Sequence, residues 1–274
     1  MNVFLEPFQY VFIQRALIAA IAVAVLCAVL GTFVVLRRMS LIGHALTHSA
    51  LPGLVIAYLL GGYLLGGALV ATLITALAIG FFAKDEAVYE DTLVGMIPTI
   101  MFAIGILLVS TTKSYRDLSA MLFGNILGVT DGDMRLIYAI TAVTLGVVAL
   151  FYKELKLFCV DPHYAKAIGM PVNAMRYGLL LFLALSVVVG IQAVGTILTN
   201  ALLVIPVAAA RLLTDKLGAM ILLACMFAVV SSLAGVFASY YFGFSSGASI
   251  VVTCALLFAL AWLYHRLHVR DSKN

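Results

Sequence analysis

Apolar runs long enough to cross a lipid bilayer follow one another from end to end of the chain, separated by short polar breaks. A helix needs about 20 apolar residues to traverse the hydrocarbon core. Inside that core only a structure that pairs its own backbone polar groups is tolerated, which for runs of this length means a helix. The runs fall at 16–36, 45–60, 63–83, 92–112, 134–152, 177–194, 197–213, 217–238 and 247–265. The second is short and interrupted by Pro52 and Gly53, and the sixth and seventh are parted only by a weak break at Gly190, Gln192 and Gly195. The expected fold is an all-α, polytopic transmembrane helical bundle of eight or nine spans. No polar half marks off a second unit, so residues 1–274 are expected to form a single membrane domain. Composition agrees, with 65% hydrophobic and 10% charged residues; soluble domains need nearer ~25% charge to cover a wet surface.

Charge placement orients the bundle. Loops on the cytoplasmic side of membrane proteins collect Lys and Arg. With the N-terminus outside, twelve of the sixteen basic residues fall inside, from Arg37 and Arg38 through Lys153, Lys156 and Arg176 to Arg266, Arg270 and Lys273. The outer side keeps Arg15, Lys113, Arg116 and Arg135. Nine spans with the N-terminus out and the C-terminus in satisfy this pattern. The four cysteines are scattered and form no CxxC pair, so they are expected to be packing residues rather than disulfides or metal ligands.

Two connections are longer than a turn. Residues 113–133 mix Met, Leu and Phe with Arg116, Asp117, Asn125 and Asp131, a pattern that predicts an interfacial or re-entrant helix on the outer side. Residues 153–176 form the most polar segment and lie inside. Within it, Asp161-Pro162 is a helix start, with Asp as cap and Pro in the first turn, and Gly169 followed by Pro171 is a helix stop. A short amphipathic helix on the cytoplasmic surface is what a cytoplasmic partner could grip.

The chemistry is sparse. No GxxxxGK[ST] occurs, so the chain has no Walker A loop for ATP phosphates. His44 and His48, in RRMSLIGHALTHSALPG, stand four apart and so share one face of a helix, near enough to contact one ion. Ionisable side chains at membrane depth usually face a cavity or pathway. The plain alternative is a pair of hydrogen bonds across helix interfaces. Pro52-Gly53 and Pro206 interrupt apolar helices, either to line a cavity or simply as packing kinks. Gln192 and Asn200 are polar residues in apolar surroundings, as pathway lining or interhelical contacts. Glu90 and Asp91 open the fourth run and suit a helix start, with Asp91 also a gate candidate. Gly62 and Gly66 make a GxxxG, which predicts close helix packing there.

The stretch Arg37 to Gly53 resembles the signature of the permease subunits of manganese, zinc and iron ABC importers, the ABC-3 family. Further blocks agree in order: EDTLVG at 90–95, LFGNILGVT at 122–130, DPHYAKAIGMPV at 161–172, QAVGTILTNALLVIPVAAARLLT at 192–214 and SSGASIVV at 245–252. The resemblance implies a permease in the cell membrane that moves divalent metal inward, with no permanently bound cofactor and with ATP hydrolysed on a separate subunit. It implies a second, identical permease, a cytoplasmic ATPase dimer and an extracytoplasmic metal-binding protein, for which Arg15, Arg116 and Arg135 are docking candidates. It makes 161–172 the coupling helix, with Asp161, Pro162, His163, Ala165, Ala167 and Gly169 at the ATPase contact. It places metal contacts in the second span, normally an Asp and a His. His48 matches that His, while His44 occupies the position of the Asp. A second imidazole in place of a carboxylate leans a site toward zinc, whereas QAVG and LEPFQY look more like manganese and iron members. The metal stays open among the three. A stand-alone secondary transporter, or an ABC permease for a chelated metal of siderophore or cobalamin type, is the alternative.

Overall fold

The computed structural model describes residues 11–83, 89–110 and 131–271. Arg116 and most of the expected outer helix at 113–133 lie outside them. The described chain is helical throughout: α1 Val11–Leu36, α2 Ile42–Ser49, α3 Leu51–Leu59, α4 Leu64–Phe82, α5 Glu90–Ser110, α6 Asp131–Leu150, α7 Tyr152–Val160, α8 Pro162–Ala167, α9 Val172–Val194, α10 Thr196–Leu213, α11 Leu217–Phe242 and α12 Ser246–Asp271. Among the described residues nine spans are long and apolar enough to cross a membrane, with α2 and α3 together making the second.

The second span breaks where the sequence places Pro52. A proline has no N–H to return to the carbonyl four residues back, here that of His48. The helix accordingly pauses at Ala50 and resumes at Leu51, with Pro52 in the first turn of α3. The sixth and seventh spans part at Gly195 alone, whose φ of 89° is open to glycine but strained for other residues. Gly190 and Gln192 remain inside α9.

α1 is the axis of the bundle, packed against α6, α9, α10 and α11. α12 closes the far side against α10 and α11, and α3, α4 and α5 form the opposite side. Burial follows this layout, with 72% of the first span enclosed against 22% of the ninth; the outer helices keep apolar faces for lipid. α2 sits where α4, α5, α9 and α10 converge.

Close approach between α3 and α4 rests on Gly53 and Gly67. A Cβ on Gly53 would stand 2.0 Å from the Gly67 carbonyl oxygen. The expected GxxxG packing at Gly62 and Gly66 does not form, since a Cβ on either meets nothing nearer than 3.5 Å. Gly62 precedes the helix altogether, so the two glycines never share a helical face.

The cytoplasmic helix forms as its punctuation dictates. Asp161 caps α8, its Oδ1 accepting from the Tyr164 N–H at 2.9 Å. At the other end Gly169, with φ 82°, donates to the Lys166 carbonyl and Met170 to the Ala165 carbonyl, which is a Schellman termination. α9 begins at Val172, directly after Pro171 and earlier than its apolar run, and so takes in Arg176. Its Nη1 donates to the Ala83 carbonyl at 2.9 Å, satisfying one of the carbonyls orphaned at the end of α4.

Candidate functional site

One turn of α2 brings the two imidazoles together. Their Nε2 atoms are 3.0 Å apart, and the rings meet edge to face with centroids 4.3 Å apart. On its other side His48 abuts the ring of Phe102 on α5, at 4.8 Å. His44 is exposed and His48 half-buried.

α10 reaches the same turn through Asn200. The Asn200 Nδ2 donates to Thr47 Oγ1 at 3.2 Å and stands 3.4 Å from His44 Nδ1. Thr47 in turn donates its hydroxyl proton to the His44 carbonyl at 2.7 Å. Gly43 makes this approach possible, for a Cβ there would stand 2.4 Å from Leu203 Cδ2 and 3.1 Å from Asn200 Oδ1.

Two openings meet at the His pair. A cavity of about 430 Å³ is bounded by Leu51, Phe102, Ile197 and Asn200. A second, of about 250 Å³, runs along α5 past Val94, Pro98 and Thr99. Pro98 lies inside α5 and supplies no N–H to the Val94 carbonyl, the same signal as Pro52 and Pro206 in an apolar run.

The helical rise of 1.5 Å per residue sets the depth. Phe102 lies roughly 18 Å from the start of α5 and roughly 12 Å from its end. Asn200 is roughly 6 Å from the start of α10 and roughly 20 Å from its end. Both neighbours put the His pair between the middle of the bundle and the side where α5 ends and α10 begins.

The other sequence candidates scatter. Asn200 alone joins the histidines. Gln192 instead donates from Nε2 to Asp133 Oδ1 of α6 and borders a separate cavity of about 300 Å³ with Tyr63 and Leu65. Gly53 serves the α3–α4 contact, and Pro52 and Pro206 are buried within their helices. Asp91 is exposed in the first turn of α5. Arg15 is half-buried on α1 and Arg135 exposed on α6. On α8, His163, Ala167 and Gly169 are exposed but Ala165 is buried, so Tyr164 and Ile168, 55% and 53% exposed, carry the apolar part of that surface.

Chemically, two neutral imidazoles and an amide are donors for a transition metal rather than for magnesium or calcium. Among the described residues no three His, Cys, Asp or Glu side chains gather to hold an ion. The chain thus presents an open pair of nitrogens on a cavity wall.

Residues 9–265 match the family described as ABC 3 transport family. The chain belongs to that family. This ABC-3 chain is 41% identical over 256 residues to the "Manganese transport system membrane protein MntC" of Listeria monocytogenes, covering 93% of the one and 91% of the other. It is 39% identical to the "Chelated iron transport system membrane protein YfeD" of Yersinia pestis, covering 98% and 90%. Its fold resembles a chain of PsaBC from Streptococcus pneumoniae, solved in complex with a Fab, with a TM-score of 0.83, 38% identity and 94% of each chain covered. The membrane-spanning ABC-3 architecture expected from the apolar runs and the Arg37–Gly53 signature is therefore borne out.

Proposed function

We infer that this protein is the membrane-spanning permease subunit of an ATP-binding-cassette importer that moves divalent transition-metal ions across the cell membrane into the cytoplasm. The observation that carries this reading is the ABC-3 match over 9–265, supported by relatives whose names specify manganese and iron transport. A stand-alone or proton-coupled transporter is not favoured, because ABC-3 permeases work with a separate ATPase.

In this reading the ion passes the pair formed by His44 and His48. An ion arriving in the larger cavity meets the freed lone pairs of two imidazoles held by Thr47, Asn200 and Phe102. Two nitrogen contacts from one chain bind weakly enough to release, as transport requires. A second copy of the chain, brought up against the exposed His44 and Ile197, would double the contacts. α8 is the coupling helix, seated in the ATPase through His163, Ala167 and Gly169, with Tyr164 and Ile168 as its apolar anchors. Arg135 and Arg15, on the side opposite α8, would steer a metal-binding protein with acidic patches.

The test is reconstitution. Co-assembled with its ATPase subunit in proteoliposomes, the chain is expected to drive ATP-dependent uptake of Mn(II), Fe(II) or Zn(II). Metal uptake that proceeds on a proton gradient without the ATPase would overturn the reading.

A further inference from the structure

The hydrogen bonds around His44 point in one direction, and that direction is incompatible with metal on its Nε2. Thr47 has given its only proton to the His44 carbonyl, at 2.7 Å. Its oxygen can then only accept, so the Asn200 group facing it must be the NH2, at 3.2 Å. The same NH2 lies 3.4 Å from His44 Nδ1, a contact that favours the ring with Nδ1 as acceptor. A neutral imidazole with a bare Nδ1 carries its proton on Nε2. In that tautomer the proton lies between the two Nε2 atoms, which stand 3.0 Å apart, where the metal would have to be.

The other end of the amide is unsettled. Asn200 Oδ1 is buried with no hydrogen-bond partner, packed against Gly43, where a Cβ would approach it to 3.1 Å. A metal-ligating histidine donates its second N–H to a carbonyl or carboxylate, and a turn of the Asn200 amide would bring its unpartnered Oδ1 to the place the NH2 now holds beside His44 Nδ1.

We propose that Asn200 is a positioning residue with two settings, which selects the nitrogen of His44 that carries the proton. In the setting seen here, the NH2 faces Nδ1 and the His pair is closed by a shared proton. In the other, the amide has turned, and Oδ1 accepts from Nδ1–H and from the Thr47 hydroxyl. The two settings differ only in which nitrogen carries the proton. The proton on Nε2 passes to cavity water, water returns one to Nδ1, and the freed Nε2 lone pair is available to the ion. Metal capture and the turn of one amide are therefore the same event, and turning back ejects the ion by restoring a proton between the rings.

This rests on the reading that metal passes the His pair, and the experiment separates the two. The full chain, labelled with 15N-histidine in lipid nanodiscs, is titrated with diamagnetic Zn(II) alone. The metal-free chain is expected to show His44 protonated on Nε2, and the Zn(II)-loaded chain to show it protonated on Nδ1. Asn200→Asp, whose carboxylate can only accept, is expected to hold the Nδ1–H form before metal is added and to tighten Zn(II) binding by about tenfold. In a His44→Ala background the same substitution is expected to leave affinity within about twofold, since no ring remains to be set. An Nδ1–H signal in the metal-free wild type overturns the proposal without needing any variant. So does equal tightening with and without His44, which is plain charge attraction. Zn(II) that moves His48 while leaving the His44 tautomer unchanged sinks the Asn200 setting alone. Zn(II) that moves neither ring overturns this proposal and the passage of metal at the pair together.

Discussion

Gly53→Ala adds one methyl group at the tightest helix crossing near the site, and its consequence can be worked from the geometry. The new Cβ would lie 2.0 Å from the Gly67 carbonyl oxygen, 2.6 Å from its carbon and 2.7 Å from Ala71 Cβ. Two of these are backbone atoms, so no side chain can swing away. Restoring an ordinary 3.4 Å contact requires α3 and α4 to part by about 1.4 Å. Overpacking of this kind costs roughly 1–3 kcal/mol. α3 continues from α2 through the break at Ala50, and Leu51 borders the larger cavity, so part of the displacement reaches the turn that holds His48. Gly66→Ala is the control, its Cβ meeting only Tyr63 Cδ1 at 3.5 Å. Thermal unfolding of the purified chain in detergent should show Gly53→Ala clearly destabilised and Gly66→Ala close to wild type, with metal uptake reduced only in the former. Equal stability of the two variants would refute the claim that Gly53 and Gly67, rather than the GxxxG, set the α3–α4 contact.

Two further perturbations address metal choice and coupling. His44→Asp restores a hard, anionic oxygen beside His48, and is expected to shift uptake from Zn(II) toward Mn(II) in a competition assay with both ions; an unchanged ratio would remove His44 from the choice of metal. Tyr164→Arg together with Ile168→Arg replaces the exposed apolar pair of α8 and is expected to abolish co-purification of the ATPase while leaving the amount of chain in the membrane unaltered, and retained ATPase would place the coupling surface elsewhere.

The spans were legible because bilayer thickness demands long apolar runs, and the structure moves their ends by only a few residues. α8 was legible for a different reason: its start at Asp161-Pro162 and its stop at Gly169 are local signals, and both are satisfied by bonds within the segment. The His pair was legible because a spacing of four is a property of one helix. What surrounds the pair was not. Asn200 bonds to residues 153 and 156 positions away, and nothing local distinguishes it from Gln192, which pairs with Asp133 and borders another cavity. Phe102 and Pro98 sit in an ordinary apolar run whose facing is set by tertiary packing. Gly62 and Gly66 misled because the chain between α3 and α4 turns at Gly61, with φ 64°, and leaves Gly62 outside the helix.

ATP-dependent Mn(II) uptake by proteoliposomes holding the chain and its ATPase, measured for His48→Ala against wild type at matched protein density, tests the central claim most directly. Uptake is predicted to fall by at least about tenfold while ATP hydrolysis by the assembled complex persists. Wild-type uptake by His48→Ala would contradict the account, since the ion would then reach the cytoplasm without the His pair.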